Sequence, residues 1–246
     1  ALMIAYVAFV LTADTLATMR VQVPFVWSDW FHWRPKHLVP WVTWMLPGEG
    51  LDRTAIAFLM SPRTNQFDLF KFFTWFVLPV ALLWRWMDWD AWGMFRWRGR
   101  DLALLLLALV GGVVAVALIP HIPGVREYYV PPKAISLEQK LWLVAGYNFW
   151  CVSWLLGWEF LHRYVLLAAL SRFLPRGGWG WLVVPLLIAS SEAAYHLVKP
   201  WPETVAMFGF GFAASLWAYQ RGNWLLPLIA HWMIEMALVL FLVLNA

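Results

Sequence analysis

Three short stretches set ionisable side chains among residues that are almost entirely apolar. "GWEFLHRYVLL" carries Glu159, His162 and Arg163, "SEAAYHLVKPWPE" carries Glu192, His196, Lys199 and Glu203, and "LIAHWMIEM" carries His231 and Glu235. Spacings of three and four put Glu159, His162 and Arg163 on one helix face, with Asn148 about three turns earlier on the same face. Glu192 and His196 stand four apart with Tyr195 beside them, and His231 and Glu235 are again four apart.

An ionised side chain near the centre of a membrane helix costs about 2.5–3.5 kcal/mol on insertion scales, so several in one chain must face one another or a wet cavity. Pairs that simply tie helices together would meet this demand one at a time. A shared polar site accounts better for three such pairs on three helices.

Two chemistries suit this set. In hydrolysis, a partly desolvated Glu takes a proton from water while imidazoles donate hydrogen bonds to the developing oxyanion. In metal chemistry, two His and two Glu ligate zinc or iron. The chain has no "HExxH", and its one "ExxH", Glu159 to His162, is a single copy where a di-iron bundle uses two. No cofactor is assigned, and a divalent metal such as zinc stays as the alternative.

The elements that must carry these residues follow from composition. Only 13% of the 246 residues are charged, 63% are hydrophobic, and the mean hydropathy is +0.65. That predicts an all-α polytopic transmembrane helix bundle of about six to eight spans rather than a soluble domain. Continuous rather than alternating apolar runs disfavour a closed barrel. Spans are expected near 1–18, 68–86, 101–119, 139–172, 178–198, 203–220 and 223–245. The fourth, about 50 Å long if wholly helical, must tilt, project or break.

The segment 20–66 holds Trp27, Trp30, Trp33, Trp41 and Trp44 among charges and prolines, which suits an interfacial Trp-rich segment, as does "RWMDWDAWGMFRWRGR" at 85–100. The 21 Trp read as belt and packing residues rather than a cofactor stack. Arg85, Arg96, Arg98 and Arg100, then Arg172 and Arg176, then Arg221 all fall on one side of the expected bundle, which makes that side cytoplasmic. The amino terminus is then inside and the carboxyl terminus outside. The net charge of +4 comes from loop Arg, so no nucleic-acid partner is expected. The single cysteine, Cys151, reads as a small buried helix residue, and "ALMIAYVAFV" has no basic n-region of a cleavable signal.

From about Trp154 to Glu235, roughly a third of the chain, the sequence resembles the intramembrane proteases of the CAAX-processing and bacteriocin-processing family. The family signature is a Glu-Glu-x-x-x-Arg helix, a Phe-x-x-x-His helix and a His-x-x-x-Asn helix. In "WEFLHR", Glu159 and Arg163 match the second Glu and the Arg; in "EAAYH", His196 matches and Glu192 replaces Phe; in "HWMIE", His231 matches and Glu235 replaces Asn. "HLVKPWPE", with His196, Lys199, Pro200 and Glu203, is similar to a bacterial branch that also has Trp-Glu-Phe in the first element.

The resemblance implies a CAAX-protease-like catalytic core at 139–246 behind an amino-terminal membrane region at 1–138. It implies an endopeptidase in the bacterial inner membrane that cuts a membrane-anchored protein or peptide substrate. Glu159 would be the base, Arg163 would orient it, and His196 and His231 would hold the water and the oxyanion. Glu192, Lys199, Glu203, Glu235 and Asn148 would be secondary site residues. Trp158 stands where the family has the first Glu, to which water activation is usually assigned. Two other readings remain: a non-catalytic subunit or immunity-type protein in a larger membrane complex, and a transporter or metal enzyme using Glu192, His196, His231 and Glu235. Span counting puts His196 near the outer end of its helix and His231 eight residues above the inner end of its own, so one helix must be short, shifted or broken for them to meet.

Overall fold

A computed structural model describes residues 2–18, 71–86, 97–129, 136–174 and 178–245. The Trp-rich segment 20–66, Arg96 and Arg176 lie outside the described residues, as does most of 85–100. Among the described residues the fold is all helix with no strand. Such apolar sequence satisfies its backbone polar groups within each helix.

The elements in chain order are α1 (Leu2–Thr18), α2 (Phe72–Leu83), α3 (Gly99–Leu118, running on as a 3-10 turn over Ile119–His121) and the single turn α4 (Val125–Tyr128). Next comes α5, an unbroken rod in which Leu137–Glu159 and Leu167–Phe173 flank a π-wound stretch, Phe160–Leu166. Then follow α6 (Gly180–Tyr195, closed by a 3-10 turn at His196–Val198), α7 (Trp201–Arg221) and α8 (Leu225–Leu244). Two helices, Gly99–His121 and Leu225–Leu244, are long and apolar enough to cross a bilayer.

Local chemistry sets the boundaries. At the start of α3 the Asp101 carboxylate accepts the Arg98 backbone N–H at 2.7 Å, capping the first turn. Proline at 200 and 202 opens α7, where a missing N–H costs nothing. Gly222, at φ 59°, closes it in the left-handed region that a side chain would resist.

The helices pack in two groups joined by α5. α6 lies along α7, and α3 lies along α8. Leu105 meets Leu226 and Ala230, Gly112 faces Ile234, and Val116 shares a cluster with Leu238 and Phe241, so α3 and α8 run in the same direction. α5 packs on α8 through Tyr147, Cys151, Leu155, Val239 and Val243, and buries Trp158, Phe160 and Leu161 with Trp75 of α2. Away from α8, α3 exposes Leu102, Leu106, Leu107, Val110 and Val114.

Candidate functional site

The π-wound stretch of α5 is the local device on which the site depends. An i→i+5 turn rotates the following side chains relative to an ordinary helix, and such turns recur at functional sites. Here it turns His162 and Arg163 inward together with Glu159, and none of the three is more than 2% exposed.

Arg163 joins two carboxylates. Its Nη2 donates to Glu192 Oε2 of α6 at 2.9 Å, and its Nε lies 3.3 Å from Glu159 Oε2. Room for Glu192 comes from α7, since a Cβ on Gly211 would collide with the Glu192 carboxylate. The other Glu159 oxygen, Oε1, accepts from His231 Nδ1 at 2.6 Å. His231, Glu159, Arg163 and Glu192 therefore form one chain of contacts across α8, α5 and α6.

All three imidazoles are held through Nδ1. His162 Nδ1 donates to the Trp158 carbonyl and His196 Nδ1 to the Glu192 carbonyl, each at 2.8 Å, while His231 Nδ1 meets the Glu159 carboxylate. Because each partner is an acceptor, Nδ1 must carry the proton, and Nε2 is left with its lone pair in the neutral ring. The surroundings of Nε2 differ. His162 Nε2 is buried without a hydrogen-bond partner, whereas His231 Nε2 lies 3.8 Å from Glu235 Oε1.

His231 and Glu235 also line a cavity of about 600 Å³ between α3, α7 and α8. Its walls are mostly apolar, and its polar groups include Tyr129 and Glu203. Glu235 accepts from Tyr147 Oη at 2.7 Å. Glu203 accepts from Tyr129 Oη at 2.7 Å and pairs with Lys199. His231, on the cavity wall, thus has one ring nitrogen against buried Glu159 and the other near Glu235.

The sequence-derived residues fall into three groups. Glu159, Arg163, Glu192 and His231 share the buried chain, and Glu203 and Glu235 reach the cavity, with Lys199 bound to Glu203. His196 is buried beside Trp158, with ring centroids 5.7 Å apart, and is not among the cavity-lining residues. Asn148 accepts from Trp232 Nε1 at 2.7 Å and so ties α5 to α8. Trp158 packs its ring on His162 at 4.3 Å and on Tyr195 at 5.0 Å. The expected mismatch in depth between α6 and α8 is bridged by α5, whose Glu159 and Arg163 point to different neighbours. α6 itself is short, 16 residues, or about 24 Å.

Tyr147 and Tyr129, which hold the two cavity carboxylates, did not stand out in the sequence. Tyr147 had a weak signal, a phenol directly before Asn148 in an apolar helix. Among the described residues no group of three or more His, Cys, Asp or Glu is arranged to hold a metal ion. The position between Glu159 and Glu192 is filled by the Arg163 guanidinium.

Compared with descriptions of known protein families, with curated proteins and with solved structures, the chain matches none.

Proposed function

We propose that the chain is a multi-pass protein of the bacterial inner membrane and an intramembrane endopeptidase, hydrolysing a peptide bond of a membrane-tethered protein or peptide. Support for several spans comes from the two helices long and apolar enough to cross a bilayer, the exposed apolar face of α3, and the bond that holds Arg221 at the end of α7 to Asp101 at the start of α3. That bond sets the Arg98–Arg100 and Arg221 clusters at one level, as the positive-inside rule requires.

The observation that carries the hydrolytic reading is the 2.6 Å contact of His231 Nδ1 with buried Glu159, combined with the place of His231 on the cavity wall. Glu159 is wholly buried and its oxygens face His231 and Arg163, so it activates water through His231 rather than by touching it. His231 Nε2 takes a proton from a cavity water as the water oxygen adds to the substrate carbonyl carbon. Glu159 stabilises the resulting imidazolium. Nε2 then returns the proton to the departing amine as the C–N bond breaks. Arg163 fixes Glu159, and Glu235 is within reach of the same water. By resemblance His196 would assist the oxyanion, although it stands off the cavity wall.

Cleavage of membrane-anchored reporter peptides by the protein in nanodiscs tests this. His231→Ala and Glu159→Ala should each abolish cleavage while keeping the helical content, and unchanged turnover in both removes the proposal. A non-catalytic subunit of a larger complex is the second reading. It is favoured by Trp158, which is buried where the family has its first Glu. Stable copurification with a larger assembly, without cleavage, would select it.

A further inference from the structure

The cavity beside His231 has a shape and a charge pattern of its own. Its long walls, α3 and α7, make little direct contact along their length. They are tied at the two ends. At one end Asp101 of α3 takes the Arg221 guanidinium through both oxygens at 2.8 and 2.7 Å, with Trp217 Nε1 at 3.2 Å. At the other, Tyr129, just past α4, donates to Glu203 in the first turn of α7 at 2.7 Å. Between the ties Gly111 and Ala115 on α3 and Ala206 and Ala213 on α7 put little side-chain volume into the gap, which Met207 and Phe210 also line. Leu104 and Leu107 also line the cavity and are exposed, at 41% and 66%, so it meets the apolar outer face of the bundle.

The volume limits what enters. An α-helix with side chains is about 10–12 Å across, so about 600 Å³ would hold only some four or five residues of one. A slender hydrocarbon chain fits where a spanning helix does not.

The charges limit what its head can be. Glu203 is matched by Lys199. Glu235 has a phenol from Tyr147, and the other ionisable group within ion-pair distance of it among the described residues is the neutral His231 ring, with Nε2 at 3.8 Å. A carboxylate in a low-dielectric cavity is stabilised by a cation with hydrogen-bond donors and disfavours an anion. We propose that this cavity binds a bilayer-borne amphiphile with one long hydrocarbon chain and a primary ammonium head, the chain lying between α3 and α7 and the ammonium on Glu235. The inference rests on the membrane placement of the bundle and not on hydrolysis, so failure of peptide cleavage leaves it standing.

The test uses the full chain in phosphatidylcholine nanodiscs, titrated with hexadecylamine, hexadecanol, hexadecanoate and octylamine, with binding read from the shift in unfolding temperature. Hexadecylamine should bind about tenfold or more tightly than hexadecanol, and hexadecanoate and octylamine more weakly still. Glu235→Gln, which can keep its bond to Tyr147, should bring the amine down to the level of the alcohol and leave the alcohol unchanged. Gly111→Leu, where an added Cβ meets nothing within 4 Å, should fill the cavity and weaken both C16 ligands without lowering the ligand-free unfolding temperature. Equal binding of amine and alcohol, an amine preference that survives Glu235→Gln, binding of octylamine as tight as hexadecylamine, or indifference to Gly111→Leu overturns the proposal.

Discussion

Arg163 Nη2 lies 2.9 Å from Glu192 Oε2, a bond between two fully buried side chains on helices that are 29 residues apart in sequence at this point. Breaking one side of such a pair strands a charge in a low-dielectric interior, at a cost of about 3–5 kcal/mol. Arg163→Met should therefore lower the unfolding temperature sharply. Adding Glu192→Gln to that variant should recover part of the loss, because the stranded carboxylate is then neutral. If the losses of Arg163→Met and of Glu192→Gln alone simply add in the double variant, the two residues are not coupled. A double-mutant cycle on thermal unfolding in nanodiscs gives the answer.

The pair shows how far the sequence could be read. Glu192 and Arg163 stood out because ionisable groups in apolar helices need partners, and the helices themselves stood out as long apolar runs. Which partner each group takes was not legible from spacing. Glu159 and Arg163 share a helix face in any helical reading, but the π-wound turn lets Arg163 reach a second carboxylate on α6. By spacing, Glu192 pairs with His196 four residues on. Instead its carboxylate turns to Arg163, and its backbone carbonyl receives His196 Nδ1. Asn148 shares a helix face with Glu159 by spacing, yet it bonds Trp232 of α8. Tyr147 and Tyr129 depend on long-range packing that periodicity does not encode.

Two glycines, Gly211 of α7 facing α6 and Gly111 of α3 on the cavity wall, should respond to alanine with opposite signs. At Gly211 the new Cβ runs into the Glu192 carboxylate and sits 3.3 Å from Ala189 Cα, so Gly211→Ala should cost about 1–3 kcal/mol by overpacking. At Gly111 nothing lies within 4 Å of the new Cβ. Gly111→Ala should be neutral or stabilising by up to about 1 kcal/mol, through helix propensity alone. Equal unfolding temperatures for the two variants would show that α7 does not press on Glu192.

Tyr147 donates to Glu235 from a buried position in α5, and Tyr147→Phe leaves a cavity carboxylate short of one donor. The expected cost is about 1–3 kcal/mol. Cysteine substitution is no substitute for this test, since it also opens a void. Stability of Tyr147→Phe equal to the parent protein would mean that Glu235 finds another donor in the cavity.

The bond of Asp101 with Arg221 makes a prediction about sidedness that is independent of any chemistry. Arg221 ends α7 and Asp101 begins α3, so both ends lie at one level, while α4, which follows α3, lies a full helix away. α3 with its continuation is 23 residues long, or about 35 Å, enough to cross the hydrocarbon layer of about 30 Å. On the multi-pass placement proposed above, residues beside Arg221 and residues of α4 face opposite compartments. Gln220 and Arg126 are both exposed, and Cys151, the one native thiol, is buried. In a Cys151→Ala background, Gln220→Cys should react with a membrane-impermeant maleimide only after the cytoplasmic side is opened, and Arg126→Cys should react in intact spheroplasts. Labelling of both from the same side would contradict a membrane-spanning α3 and, with it, the multi-pass placement on which the cavity's access from the bilayer depends.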